Sequence, residues 1–349
     1  MEDADRKHER RVRYRGTHPR AFTEKYKERD PEKYPDTVAR VIAKGSTPAG
    51  THRPIMVAEI LVFLRPEPGQ TGLDATLGYG GHAAELLQAI GETGRLFAVD
   101  ADPIELPKTV DRLGRLGFNP PRLTAAHMNF ADVDRLLPPA GGFDFVLADL
   151  GVSSMQIDDP ARGFSFKVDG PLDLRMNPEQ GLSAAHRLKS MSAAEIEGML
   201  VENADEPHAE RIAQAIVAAR KAGRPIGTTS QLSAVIGEAL VFLPPSTREE
   251  ETKKSCQRAF QALRIDVNRE YDALYAFLEK LPDVLKPGGR VAILSFHSGE
   301  DRLVKKSFQA LFRDGVYREI APGPIRPSFE EQNANPRARS AKLRWAIRA

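Results

Sequence analysis

Short apolar runs, each closed by glycine, asparagine or aspartate, recur along this chain with helical patterns between them. The runs are Gly72–Leu77, Arg95–Asp100, Arg122–Ala126 and Phe143–Leu150. Strands that alternate with helices predict a parallel sheet joined by crossover helices. Ahead of the first run, Pro54 suits the first turn of a helix whose apolar stripe is Ile55, Met56, Ile60, Leu61 and Leu64, and which stops before Pro66. Residues 158–258 break the rhythm. Their pattern is helical over Ala193–Val201, Ala209–Ala222 and Ser230–Phe242, closed by Pro244-Pro245. A long helix is predicted from Phe260 through Leu278, and Lys286-Pro287-Gly288-Gly289 then turns the chain into a strand, Arg290–Phe296. A helix over Glu300–Phe312 and a last strand over Ala341–Ile347 complete the reading. The expected architecture is an open α/β sheet, residues 51–157 and 259–349, with a helical domain, 158–258, inserted after the fourth strand.

A length of 349 residues fits about two domains. Apolar residues at 41% exclude a disordered chain, and a single cysteine excludes an intramolecular disulfide or a multi-cysteine metal site. No metal is expected, since no His-x-x-x-His or similar spacing occurs. No apolar run reaches the ~20 residues of a membrane helix, which predicts a soluble, cytoplasmic protein with no membrane partner. Net charge is only +2, but its distribution is uneven. Residues 6–27 hold nine Lys/Arg against Glu9 and Glu24, interleaved with Tyr14, Phe22 and Tyr26. Residues 1–50 therefore read as a basic arm. RNA would use both features, phosphates taking the charges and unstacked bases the rings; a solvated tail accounts for the charge pattern equally well.

Four features could carry chemistry. The first strand leads into Asp74-Ala75-Thr76-Leu77-Gly78-Tyr79-Gly80-Gly81-His82, where close glycines allow a tight turn and the approach of a ligand. Asp100 closes the second strand, where a carboxylate can accept both hydroxyls of an adenosine ribose. By position Gly78-x-Gly80-x-x-Ala83 also fits the dinucleotide fingerprint, and a glycine turn that merely packs strand on helix stays open. The fourth strand ends at Asp149-Leu150-Gly151-Val152-Ser153-Ser154, placing Asp149 at the carboxyl edge that lines the crevice of an open α/β sheet. His297 lies at another strand's carboxyl end, equally suited to a structural or a functional role.

These motifs, in order, resemble a known family. Nine blocks carry the likeness: His52-Arg53-Pro54, Asp74–His82, Val99–Pro103, Leu147–Ser154, Arg162–Phe166, Asp169–Met176, Phe260–Ile265, Ser295–Ser298 and Asn335–Leu343. Together they are similar to the bacterial 16S ribosomal RNA (cytosine-N4)-methyltransferases, the RsmH or MraW family. The resemblance implies a class I methyltransferase fold, a Rossmann-like open sheet using S-adenosylmethionine, with the helical insert recognising RNA. It implies methylation of the exocyclic N4 of one cytidine in the decoding region of 16S rRNA, within the small ribosomal subunit or its precursor. Monomer and dimer both stay open. Family cofactor contacts fall on Gly80, Gly81, His82, Asp100, Phe130, Asp149 and Gln156.

On the mechanism this implies, Asp149 accepts an N–H of the target amine and is the expected catalytic residue. Arg162, Phe164, Asp173 and Arg175 are the expected pocket for a flipped cytosine, and Arg258 with the basic arm would hold phosphates. Tyr79 stands where the family has arginine, Met155 where it has proline, and Gly299 where it has leucine. Residues 1–50 have no expected counterpart. Two rival readings are an NAD-dependent oxidoreductase, which the glycine fingerprint permits, and a non-catalytic ribosome-assembly factor on the same fold.

Overall fold

The computed structural model describes residues 54–349 other than 137, 139 and 140; the basic arm, residues 1–50, lies outside them. Seven strands form one sheet: β1 (Thr71–Asp74), β2 (Arg95–Asp100), β3 (Leu123–His127), β4 (Phe143–Asp149), β5 (Leu285–Ser295), β6 (Tyr317–Ile320) and β7 (Lys342–Arg348). Their order is β3-β2-β1-β4-β5-β7-β6. Strands β1 to β5 pair in parallel, whereas β7 runs antiparallel to both β5 and β6. The six expected strands appear as β1 to β5 and β7. β6 was missed, because only Tyr317 and Ile320 of its four residues are apolar and it lies at the sheet edge.

Each face of the sheet is covered by helices. On one side α1 (Val57–Leu64), α2 (Gly81–Ala89) and α3 (Glu105–Arg115) bury Ile60, Leu64, Leu86 and Leu113 against Leu96, Phe145 and Leu147. On the other, Leu274, Phe277 and Leu281 pack with Val304 and Phe308 on Phe143, Val146 and Ile293. The strands are thus buried on both faces, which is why they read as continuous apolar runs.

The segment between β4 and β5 builds a separate helical core. After the short α4 (Ser154–Asp158) come α5 (Ala184–Ser190), α6 (Ala193–Ala204), α7 (Ala209–Lys221), α8 (Thr229–Ala239) and α9 (Pro245–Asn268). Their starts are chemically marked. Ser192 with Glu195, and Thr228 with Gln231, form capping boxes that satisfy backbone N–H groups at the first turn. The core comprises Ile196, Leu200, Ile212, Ile216, Leu232, Ile236, Phe260 and Leu263.

The helix predicted from Phe260 to Leu278 is two helices. α9 begins at Pro245, and α10 (Glu270–Val284) follows a break at Arg269, whose φ of 51° is left-handed. Pro245 opens α9 from its first turn, where a missing N–H costs nothing, so the prolines mark a beginning as well as an end. The break is held by Asn268, whose side chain donates to Leu174 O and accepts from Met176 N. α9 runs through residue 258 without interruption.

Between β5 and β6 lies α11 (Ser298–Arg313), and α12 (Phe329–Ala334) precedes β7. At its start Gly299 lies beneath Tyr271 of α10, and any Cβ there would overlap the Tyr271 hydroxyl. The helix N-cap Gly80 has a φ of 76°, and a Cβ on it would lie 2.9 Å from Thr109 Cγ2 and 3.0 Å from Leu113 Cδ1. Gly80→Ala is expected to cost about 1–3 kcal/mol by overpacking alone, lowering the urea midpoint with an unchanged slope; an unchanged midpoint would show that α3 yields freely.

Candidate active site

The register of three neighbouring strands sets the site. β2, β1 and β4 end, in that spatial order, at Asp100, Asp74 and Asp149. Three carboxyls therefore line the carboxyl edge of the sheet, where α/β folds bind ligands. Thr76 ties two of them together: its N–H donates to Asp74 Oδ1 at 3.1 Å, and its Oγ1 accepts from Asp149 N at 2.6 Å.

Asp74 and Asp149 are both pushed away from ionisation. Burial raises Asp74 to about 6. Burial, and then the charge of Glu300, raises Asp149 to about 7. Asp74 Oδ2 and Asp149 Oδ1 are buried and have no hydrogen-bond partner among the described residues. Glu300 itself stays ionised: burial opposes its charge, but His297 at 3.1 Å, Arg264 and the Phe296 N–H outweigh it. Glu270, His297 and Glu300 converge closely enough for a metal ion, yet both Glu270 oxygens already accept from Arg264, at 2.8 and 2.9 Å.

Asp100 borders a cleft lined by Gly78, Tyr79, Glu105, Ser153, Met155 and Gln156. Its Oδ2 accepts from Gly78 N at 2.7 Å and its Oδ1 from Asp102 N at 2.8 Å. Burial nonetheless raises its pKa. Each oxygen keeps a further lone pair, which suits a vicinal diol. Gly78 (φ 48°) would bring a Cβ near nothing closer than Thr76 O at 3.8 Å, so its bare side is open. Of these three glycines Gly78 has the open bare side, whereas a Cβ on Gly80 would meet α3 and one on Gly81 would meet the Pro54 ring at 3.1 Å. Arg112 stacks its guanidinium 3.4 Å above the Tyr79 ring, which places a cation beside the glycine loop.

The remaining expected residues divide by location. Gln156 lines the cleft, with its Oε1 accepting from Ser153 N and its Nε2 donating to Asp102 Oδ2 at 2.6 Å. The His82 ring is buried, bonded through Nε2 to Ile55 O at 2.9 Å, with Nδ1 3.6 Å from Asp149 Oδ2. Phe130 packs edge-on against Phe277, centroids 5.2 Å apart, beside the core.

Arg162 was expected in a substrate pocket, but it is an internal anchor with 8% of its side chain exposed. Its Nη1 donates to Asp102 Oδ2 at 2.7 Å and its Nη2 to the Arg175 and Met176 carbonyls. Burial opposes the charge of Asp102, but Gln156 and Arg162 outweigh it and hold the carboxyl below its usual range. Asp173 and Arg175 form a two-pronged pair, both bonds 2.7 Å, so each neutralises the other. Phe164 packs against the helical core. Arg258 also belongs to the helical layer, 3.5 Å from Glu206, whose side chain is fully buried. Sequence reading passed over Asp102 and Thr76, although both stand in quoted motifs; a carboxylate two residues beyond a strand end was the available signal.

The strand order, with one antiparallel strand set between β5 and β6, departs from the all-parallel 3-2-1-4-5-6 dinucleotide arrangement. With acidic residues at the ends of β1, β2 and β4 and a glycine turn after β1, it defines a class I methyltransferase fold. Residues 49–349 match the MraW methylase family, and the chain belongs to that family. It is 63% identical over 349 residues to ribosomal RNA small subunit methyltransferase H 2 of Alkaliphilus metalliredigens, covering 100% of both chains. It is 56% identical to ribosomal RNA small subunit methyltransferase H 1 of Agathobacter rectalis, covering 99% of both. Among solved structures, that of a putative rRNA-methylase from Clostridium thermocellum is similar at a TM-score of 0.40 and 13% identity, covering 84% of this chain and 92% of that one. One expectation is corrected. The full-length match to the Alkaliphilus relative takes in residues 1–50, so the arm does have a counterpart.

The raised carboxyls make stability depend on pH with a definite sign. Asp74 holds its proton to about pH 6 in the folded chain, against 3.8 as its ordinary value. The folded state thus binds more protons over that window, and its stability falls as pH rises through it. Asp74→Asn is expected to stabilise the fold at pH ~8 by about 1–3 kcal/mol and hardly at pH ~4. Calorimetry at the two pH values checks this, and an equal gain at both would refute the charge-burial account.

Proposed function

We propose that this chain transfers a methyl group from S-adenosylmethionine to the exocyclic N4 of a cytidine in the decoding region of 16S rRNA, acting on the small ribosomal subunit or its precursor in the cytoplasm. The observation that carries the reading is Asp149: it ends β4 at the crevice of a chain belonging to the MraW family, with a buried oxygen for which the described residues supply no hydrogen-bond partner. The relatives named above carry the rRNA substrate in their names.

The donor's binding groups are present. Asp100 would hold the ribose diol, Gly78 would admit the ligand against bare main chain, and Gln156 walls the cleft. When bound, the donor supplies an electrophilic methyl carbon on a sulfonium. A cytosine amine is a weak nucleophile, because its lone pair is delocalised into the ring. Asp149, accepting one amine N–H, directs electron density to nitrogen and stabilises the positive charge that develops there. A carboxyl with a pKa near 7 is well matched to take that proton at neutral pH. Alignment of the reactants contributes the larger part, up to roughly 7–11 kcal/mol. A stacked base cannot reach this crevice, so the cytidine is flipped out at a cost of a few kcal/mol. The helical insert, residues 158–258, is the proposed RNA-recognition domain, and the arm its phosphate contact.

Neither rival reading has support. A nicotinamide enzyme finds no counterpart in this family, and a factor that acts by binding alone has no use for a buried carboxylate oxygen held without a partner.

Asp149→Ala should lower single-turnover transfer of labelled methyl to unmodified small subunits by about 100-fold or more; near-normal transfer would remove Asp149 from the chemistry. Removal of residues 1–45 should weaken rRNA binding and flatten its dependence on salt. An unchanged slope would show that the arm touches no phosphate.

A further inference from the structure

His82 opens α2 immediately after the glycine turn, yet its ring is turned inward. The ring is buried, and Nε2 lies 2.9 Å from Ile55 O. A carbonyl oxygen only accepts, so Nε2 carries the hydrogen and Nδ1 is left with a bare lone pair. That lone pair faces Asp149, with Nδ1 3.6 Å from Oδ2. The other Asp149 oxygen, Oδ1, is buried with no partner among the described residues. The backbone cannot slide to loosen the pair, because Asp149 N–H is held by Thr76 Oγ1 at 2.6 Å and Thr76 N–H by Asp74. Asp149 thereby turns Oδ2 toward an imidazole acceptor and keeps 26% of its side chain exposed, with Oδ1 buried.

We propose that His82 is the positioning residue behind Asp149: it orients the carboxyl through Nδ1 and receives the proton that Asp149 takes from the target amine. This rests on the functional reading above. In the reaction the amine lone pair forms the N–C bond, the electron pair of the broken C–S bond stays on sulfur, and the methylated nitrogen releases one proton. That proton binds the Asp149 carboxylate and then passes from Oδ2 to His82 Nδ1, which returns Asp149 to its ionised form. The resulting imidazolium keeps its Nε2–H bond to Ile55 O. The 3.6 Å separation is longer than a hydrogen bond and closes when the crevice fills, as catalytic contacts do on substrate binding.

The surroundings support transient charge on His82. Burial lowers its pKa, so it rests neutral and able to accept, whereas Asp74 on β1, Glu331 on α12 and Glu85 on its own helix all favour the cation. Asp149 in turn faces Glu300 of α11, whose negative charge favours its protonated form. A side chain that only contacted the cofactor would have no need of this arrangement, since both ring nitrogens are already directed into the protein.

The pairing is first read in the intact wild-type chain by nitrogen-15 NMR of the imidazoles. The expected result is the Nε2–H tautomer at neutral pH, with the Nδ1 resonance displaced by Asp149→Asn; an Nδ1–H tautomer, or no displacement, overturns the proposal. His82→Asn is then compared with wild type in three measurements. Single-turnover methyl transfer should fall by about 10–100-fold. The acid limb of the pH–rate profile should move by roughly half a pH unit or more. Affinity for S-adenosylhomocysteine, measured by calorimetry, should stay within about twofold. An unmoved limb, or an affinity loss that matches the rate loss, overturns the proposal. A wild-type chain that methylates no small subunit would refute the functional reading alone, since the tautomer and the response to Asp149→Asn still decide the pairing.

Discussion

Placing carboxyl groups side by side at the dry end of a sheet is unfavourable, and the architecture of this protein follows from how that is managed. The register of β2, β1 and β4 aligns Asp100, Asp74 and Asp149 at one edge. Asp100 is steadied by two backbone N–H groups from the turns beside it. Asp74 and Asp149 have fewer donors and respond by holding protons at higher pH. The glycine turn, the inward His82 and the Thr76 bridge are all arranged around that edge.

A second carboxylate joins the helical segment to it. Asp102 caps α3 by accepting from the Ile104 and Glu105 N–H groups, and it also receives Gln156 and the buried Arg162. Through Arg162 the loop at 174–176 is fixed, and Asn268 at the end of α9 grips the same loop from the other side. A charge that would be costly alone is favourable here because its donors are complete. Residues at the cleft beside Asp100 and residues of the helical layer thus share one hydrogen-bonded chain.

Much of this was legible beforehand. Strands buried on both faces betray themselves as apolar runs, and glycine and aspartate at their ends mark the functional edge. The motif order identified the family, which the match over residues 49–349 bears out. What escaped was whatever depends on tertiary direction. Sequence cannot say that Arg162 points inward at Asp102, or that Gly80 is bare for the sake of Thr109 while Gly78 is open. β6 was invisible because an edge strand of four residues needs little apolar content, and the break at Arg269 because helical periodicity continues on either side of it.

Gly299 and Tyr271 hold one further implication. The phenol of Tyr271 occupies the space that a side chain at 299 would fill, and donates to Asn203 O at 3.3 Å from there. Position 299 is thereby tied to the tyrosine. A bulkier residue at 299 therefore requires the phenol to swing out of that space or to be replaced, which couples the two positions.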